Sequence, residues 1–194
     1  IIVTEGERLT RLINDVLDIA KMESGKIEWH DQPFDLLALI AEVVEQSTAL
    51  AVAKGLSLDV QIEGPPNEDF PPLVADPDRI KQVLVNLLSN AIKFSDEGGV
   101  TISVRRLAPD EEVYGWRATS VHKGDSQALS RPWEGVLVAV TDTGPGIAEE
   151  NVPLLFQRFQ QIVMDTLTQK PKGTGLGLSV TFGTVKNHGG HISI

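Results

Sequence analysis

The chain has 194 residues, no cysteine and a formal net charge of −10. That length suits one domain with a substantial core, or one domain plus an appended element. Disulfides and thiolate metal sites are excluded. Nucleic acid is disfavoured as a partner, because no basic run exceeds Arg105-Arg106 or Lys170-Pro171-Lys172 and a phosphate backbone calls for a basic patch. No stretch approaches about 18 consecutive apolar residues, the length a spanning helix needs, and no secretory signal opens the chain. With the absence of cysteine, this suggests a cytoplasmic location, whether or not a parent protein is membrane-anchored.

Apolar residues at Ile2, Leu9, Ile13, Val16, Ile19 and Ala20 repeat close to a coiled-coil seam, with charges on the other face. The spacing predicts an amphipathic helix to about Glu23, packed either on a partner helix or on the domain that follows. Ser24-Gly25 stops it. Trp29 to Pro33 reads as a linker. Asp35 can cap a helix running to about Lys54, ended by Gly55. Leu56 to Ile62 alternates strictly, as a half-buried strand does, and a Pro-rich, acidic loop follows (Gly64 to Pro72).

Asp76-Pro77-Asp78-Arg79 is a helix start, with Asp at the N-cap and Pro in the first turn. Ile80, Val83, Leu84, Leu87, Leu88 and Ala91 form the apolar face of that helix, which ends near Phe94 before Gly98-Gly99. Val100 to Val104 alternates as a strand. Gly135 to Thr141 is continuously apolar and predicts a strand buried on both faces. The roughly 30 residues between these strands are long for a connection and predict a hairpin with an extended loop, carrying Trp116 and Trp133. After Asp142 come a Gly-rich turn, a short helical piece near Glu149, a mobile-looking segment (Gln160 to Lys172), a helix from Thr174 to about Asn187 and a last strand. The chain opens Ile1-Ile2-Val3 and closes His191-Ile192-Ser193-Ile194, so both ends are expected to continue into something larger.

Four patterns carry chemistry. In Asn86-Leu87-Leu88-Ser89-Asn90-Ala91-Ile92-Lys93-Phe94, helical spacing puts Asn86, Asn90 and Lys93 or Phe94 on one face. Carboxamide oxygens suit Mg²⁺, and a lysine meets phosphate as a point charge. Asp142-Thr143-Gly144-Pro145-Gly146-Ile147 places a carboxylate at a strand end, beside glycines that let a ligand approach the backbone. Gly173-Thr174-Gly175-Leu176-Gly177-Leu178-Ser179 opens a helix, where bare N–H groups favour an anion. It has neither Rossmann nor P-loop spacing. Leu155-Phe156-Gln157-Arg158-Phe159-Gln160-Gln161 sets two aromatics beside the mobile-looking segment. Taken singly, each has a plainer reading: a solvated polar stripe, a tight turn with a capping Asp, a glycine hinge, ordinary core aromatics.

In this order and spacing, the four patterns resemble the N, G1, F and G2 boxes of the sensor histidine kinase catalytic domain, from Asp76 to Gly190 with a long insertion after Arg106. Arg8 to Gly25 looks like the second helix of that family's dimerisation and histidine-phosphotransfer element, which favours a four-helix-bundle seam for the first helix. The resemblance implies a two-layer α/β sandwich of the Bergerat type, a mixed sheet covered by helices on one face. It divides the chain into bundle helix and linker (1–30) and catalytic domain (31–194).

By the same resemblance, Asn90 binds Mg²⁺ with help from Asn86, Lys93 contacts the phosphates of ATP, and Phe94 lines the base pocket. Asp142 receives the adenine amine, with Gly144, Gly146 and Ile147 as the pocket wall. Gly173, Thr174, Gly175, Leu176, Gly177 and Leu178 wrap the phosphates. Phe159 adjoins a lid (Gln160 to Lys172) in which Lys170 and Lys172 reach phosphate. The reaction implied moves the γ-phosphoryl of ATP to a histidine. The implied partners are ATP or ADP, a second subunit through the bundle helix, and a response regulator or a receiver domain of the same protein.

Three departures stand out. The acceptor histidine belongs on a first bundle helix that this sequence lacks, and His30, His122, His188 and His191 are not credible substitutes, so the chain is expected to bind ATP without phosphorylating itself. Gly183 sits inside a helix, at a cost of about 0.5–1 kcal/mol relative to Ala. The family's final strand falls beyond Ile194. Two rival readings are a hydrolase of the same superfamily and a non-catalytic nucleotide-binding module. Hydrolases resemble the chain around Asn90 and Asp142, but usually carry a glutamate base one turn before the Asn. Asn86 stands there instead, and a carboxamide cannot take a proton from water.

Overall fold

The computed structural model describes residues 2–64, 70, 72–108, 111–113, 116–117, 135–160 and 174–194. Helix α1 (Ile2–Glu23) leads to strand β1 (Gln32–Phe34), helix α2 (Leu36–Ala53), strands β2 (Ser57–Glu63) and β3 (Leu73–Ala75), and helix α3 (Pro77–Phe94). Strands β4 (Gly99–Leu107), β5 (Glu112–Val113), β6 (Trp116–Arg117) and β7 (Gly135–Asp142), a 3₁₀ turn (Glu149–Leu154) and helix α4 (Gly177–Asn187) complete the order.

The central sheet is mixed, as expected. Its order is β2-β4-β7, with β2 parallel and β7 antiparallel to β4. Strand β4 explains the core. Val100, Ile102 and Val104 alternate onto one face and are fully buried, meeting Ile40 and Val43 of α2 and Leu84, Leu88 and Ile92 of α3. Helix α2 is long and apolar enough to cross a membrane by length and composition alone. Here its buried residues, Leu36, Ile40, Val43 and Ala51, belong to this core. Asp35 caps it, accepting the Leu37 and Ala38 N–H groups at 2.8 and 3.1 Å.

The structure corrects several expectations. Strand β7 is half-buried, not buried on both faces; among the described residues it pairs only with β4, and Val136, Val138 and Val140 pack on the core. Part of the supposed linker forms β1, which pairs antiparallel with β3, a strand too short to show a period. Helix α4 begins at Gly177 and not Thr174, because Gly175 takes φ +71°, outside the right-handed helical region. Residues 191–194 form no strand: Ile192 and Ile194 alternate, but no described neighbour takes up a ladder with them. Of the long connection, β5 and β6 form a two-stranded antiparallel pair, whereas Trp133 lies outside the described residues.

Helix α1 packs on the domain that follows through its C-terminal end. Ile19 and Met22 pack on Leu176 and Val180. Asp18 accepts from Arg79 of α3 at 2.5 Å. Farther up, Leu9, Ile13, Val16 and Leu17 are exposed. Gly183 has a cause here. A Cβ at that position would lie 2.7 Å from the Met22 sulfur, so glycine lets α1 and α4 approach.

Candidate functional site

The site grows from α3. Asp76, buried at the N-cap, accepts the Arg79 N–H at 3.1 Å and the His30 N–H at 3.1 Å. The Asp76 N–H donates to Nε2 of His188 at 3.2 Å. The same Nε2 lies 3.3 Å from Asp31 Oδ1, and Nδ1 lies 2.9 Å from the Thr184 carbonyl. The apolar positions Val83, Leu84, Leu88, Ala91 and Ile92 are buried. Spacing then leaves Asn86, Asn90 and Lys93 on the remaining face, all half-buried.

That face meets the opening turn of α4. The Asn86 amide donates from Nδ2 to Thr181 Oγ1 at 2.8 Å. A Cβ on Gly177 would overlap the Asn86 carboxamide, so a side chain there would displace that carboxamide from its present position. Among the described residues the Asn90 side chain has no hydrogen-bond partner. The Lys93 Nζ lies 4.3 Å from the centroid of the Phe94 ring, and Phe94 is exposed.

The end of α3 meets the other glycine segment. A Cβ on Gly144 would stand 2.9 Å from the Phe94 carbonyl and 2.7 Å from Asp142 Oδ1. The Gly144 N–H donates to that Oδ1 at 2.8 Å, which leaves the second carboxylate oxygen of an exposed Asp142 without a partner among the described residues. Thr143 pins the loop, donating to the Glu97 carbonyl at 2.5 Å and accepting the Gly99 N–H at 3.0 Å. Gly146 and Ile147 follow on the surface.

Phe159 takes a left-handed φ of 58°, uncommon for a bulky residue. Its N–H donates to the Gly175 carbonyl at 3.0 Å. Gly175 cannot carry a Cβ, which would lie 2.9 Å from the Gln160 carbonyl oxygen. Phe159 itself is exposed, while Phe156 packs 5.1 Å from the Phe182 ring. Thr174 Oγ1 accepts the Leu176 N–H at 3.3 Å. Leu176 is fully buried and Leu178 half-buried, so these leucines are packing residues between the glycines. Lys170, Lys172, Gly173 and residues 161–169 lie outside the described residues.

Two glycine segments thus converge on one helix, at Asn86 and at Phe94, about 12 Å apart along its axis by the helical rise. Sequence reasoning assigned no role to Thr181, or to Thr143 within the Asp142–Ile147 pattern. It noticed Gly183 only as a departure, although an interior helix glycine is itself a signal of close approach.

Residues 75–194 match the family described as histidine kinase-, DNA gyrase B- and HSP90-like ATPase. The chain belongs to that family. It is 38% identical over 192 residues to the circadian input-output histidine kinase CikA of Synechococcus elongatus, covering 97% of this chain and 22% of that protein. It is 34% identical over 189 residues to the signal transduction histidine-protein kinase BarA of Escherichia coli, covering 97% of this chain and 18% of that one. The chain therefore spans about a fifth of the length of these curated relatives. Among solved structures it resembles full-length ShkA in complex with AMPPNP, with TM-score 0.67 and 28% identity over 96% of this chain and 32% of that one. It also resembles the catalytic domain of histidine kinase ThkA, with TM-score 0.56 and 26% identity over 83% of this chain and 82% of that one. The fold is that of a histidine kinase ATP-binding catalytic domain, and the sandwich expected from the sequence is the one observed.

Proposed function

We propose that this chain binds Mg²⁺–ATP against α3 and is the phosphoryl-donor part of a sensor histidine kinase. The reading rests most on the convergence of both glycine segments on the Asn86–Phe94 face. The nucleotide complex of ShkA, a similar protein, supports ATP as ligand. Asp142 offers to the adenine amine the oxygen that has no partner among the described residues, beside Gly144, Gly146, Ile147 and Phe94. Lys93, at the same end of α3, supplies positive charge to the phosphates. The Gly175–Leu178 turn brings bare N–H groups of the α4 N-terminus toward an anion.

The residues fit a magnesium ion. Asn90 is half-buried and its carboxamide has no partner among the described residues, and Thr181 holds the Asn86 carboxamide through Nδ2, not through its oxygen. A bound Mg²⁺ would offset phosphate charge. Asn86 also argues against hydrolysis, since it cannot act as a base toward water. Transfer to a histidine then depends on positioning, which is most of what a protein contributes to phosphoryl transfer.

Residues 1–30 are read as bundle helix and linker, and 31–194 as the catalytic domain. The exposed apolar run Leu9, Ile13, Val16, Leu17 supports closure of the bundle by a missing helix and a second subunit. The phosphoryl group would pass onward to a response regulator or a receiver domain.

The test is incubation of γ-labelled ATP and Mg²⁺ with this chain and a separate bundle carrying the acceptor histidine. Acid-labile label on the bundle is expected. Release of free phosphate with no label on the bundle contradicts the kinase reading.

A further inference from the structure

Helix α2 ends at Ala53, where Gly55 turns the chain with φ +72° and the Leu56 N–H returns to the Ala51 carbonyl at 3.0 Å. That stop sets Lys54 at the C-cap. Its ammonium then reaches across to the end of a different helix. Nζ donates to the carbonyls of Ile92 at 2.9 Å, Lys93 at 3.0 Å and Ser95 at 2.6 Å.

The last carbonyls of a helix lack intrahelical partners and carry its negative dipole end. At the end of α3 the Ala91 carbonyl receives the Ser95 N–H at 3.1 Å and the Ser95 hydroxyl at 2.9 Å. Lys54 takes the next two, and Ser95 beyond them, so all three ammonium donors are used. The carbonyl between them, that of Phe94, is the one against which Gly144 packs. One lysine, some 40 residues away in sequence (|i−j| of 38 to 41), therefore fixes the turn that carries Lys93 and Phe94 and abuts the Asp142 loop.

We infer that Lys54 is a positioning residue of the nucleotide site, holding the last turn of α3 so that Lys93, Phe94 and the Asp142–Gly144 loop keep their mutual geometry. This rests on the nucleotide reading of the site. A displacement of about 1 Å at such a turn is enough to cost binding or turnover heavily. Arginine keeps the charge and several donors, and methionine keeps the stem without either.

The experiment compares Lys54→Met, Lys54→Arg and Asp142→Ala with the unaltered chain, well below every thermal midpoint. Mg²⁺–ATP dissociation constants are measured by calorimetry, and amide exchange by NMR without nucleotide. Lys54→Met is expected to weaken binding about tenfold and to speed exchange of the Ser95 and Gly144 amides while β4 amides keep their rates. Lys54→Arg should recover affinity to within about threefold of the unaltered chain. Unchanged affinity in Lys54→Met, with Asp142→Ala impaired, overturns the inference and leaves the site standing. Uniformly faster exchange, β4 included, also overturns it, since that marks general destabilisation. An unaltered chain that binds no nucleotide defeats the nucleotide reading and this inference with it. Should Lys54→Met not fold, Lys54→Gln is read by the same criteria.

Discussion

The two faces of α3 use the same helix for opposite purposes. Toward the sheet, Leu84, Leu88, Ala91 and Ile92 are buried among α2 and β4, and there volume decides. Toward α4, Asn86, Asn90 and Lys93 are half-buried, and there direction decides. Asn86 is aimed by Thr181, and Gly177 removes the Cβ that would push it aside. Filling one face rigidly is what permits the other to hold polar groups at fixed angles.

If the division is real, substitutions should separate stability from binding. Leu88→Ala, at a fully buried position, is expected to cost about 2–5 kcal/mol of stability, read as a shift in denaturant midpoint, while the folded fraction keeps its nucleotide affinity. Asn90→Ala should do the converse. Phosphotransfer is expected to fall on the order of 100-fold, with stability changed by less than about 0.5 kcal/mol. A large loss of stability in Asn90→Ala would show that the polar face also holds the fold together.

Gly177→Ala sharpens the boundary. Its methyl would meet the Asn86 carboxamide, so both properties should suffer, with about 1–3 kcal/mol lost in thermal unfolding and weaker nucleotide binding. The smallest effect belongs far from both faces. Glu111 accepts the Ala108 N–H at 2.9 Å and pairs with Arg105 at 2.7 Å. The backbone N–H of Ala108 first, then Arg105, hold its carboxyl below the ordinary value of 4.5. A depressed carboxyl contributes stability above its unfolded value and loses it as pH falls through the folded one. Glu111→Gln should therefore leave stability slightly lower near neutrality and slightly less acid-dependent below about pH 4.5, in paired pH-dependent melts.

What was legible in the sequence follows the same division. Helix α3 announced itself through Asp76-Pro77, its apolar spacing and the Asn86–Asn90–Lys93 stripe, because caps and periodicity are local. The pairing of Gln32–Phe34 with Leu73–Ala75 did not. Each strand is too short to display alternation, and Pro33 fits an edge position without announcing one. Gly183 against Met22 and Lys54 against the α3 carbonyls are likewise long-range contacts whose partners share no pattern. The last residues erred in the other direction. Ile192 and Ile194 alternate as strands do, yet a strand exists only where another strand accepts its hydrogen bonds. Within the site, the glycines were legible as glycines. Which residue each one makes room for came only from the fold.

The central claim is that the two glycine segments and the Asn86–Phe94 face form one nucleotide site. Titrating this chain with Mg²⁺–ATP while following backbone and side-chain amide resonances tests it most directly. The account predicts saturable shifts concentrated at Asn90, Lys93, Gly144 and Gly177, much reduced for GTP because Asp142 selects the adenine amine. Absence of shifts, or shifts confined to residues remote from α3, would contradict it.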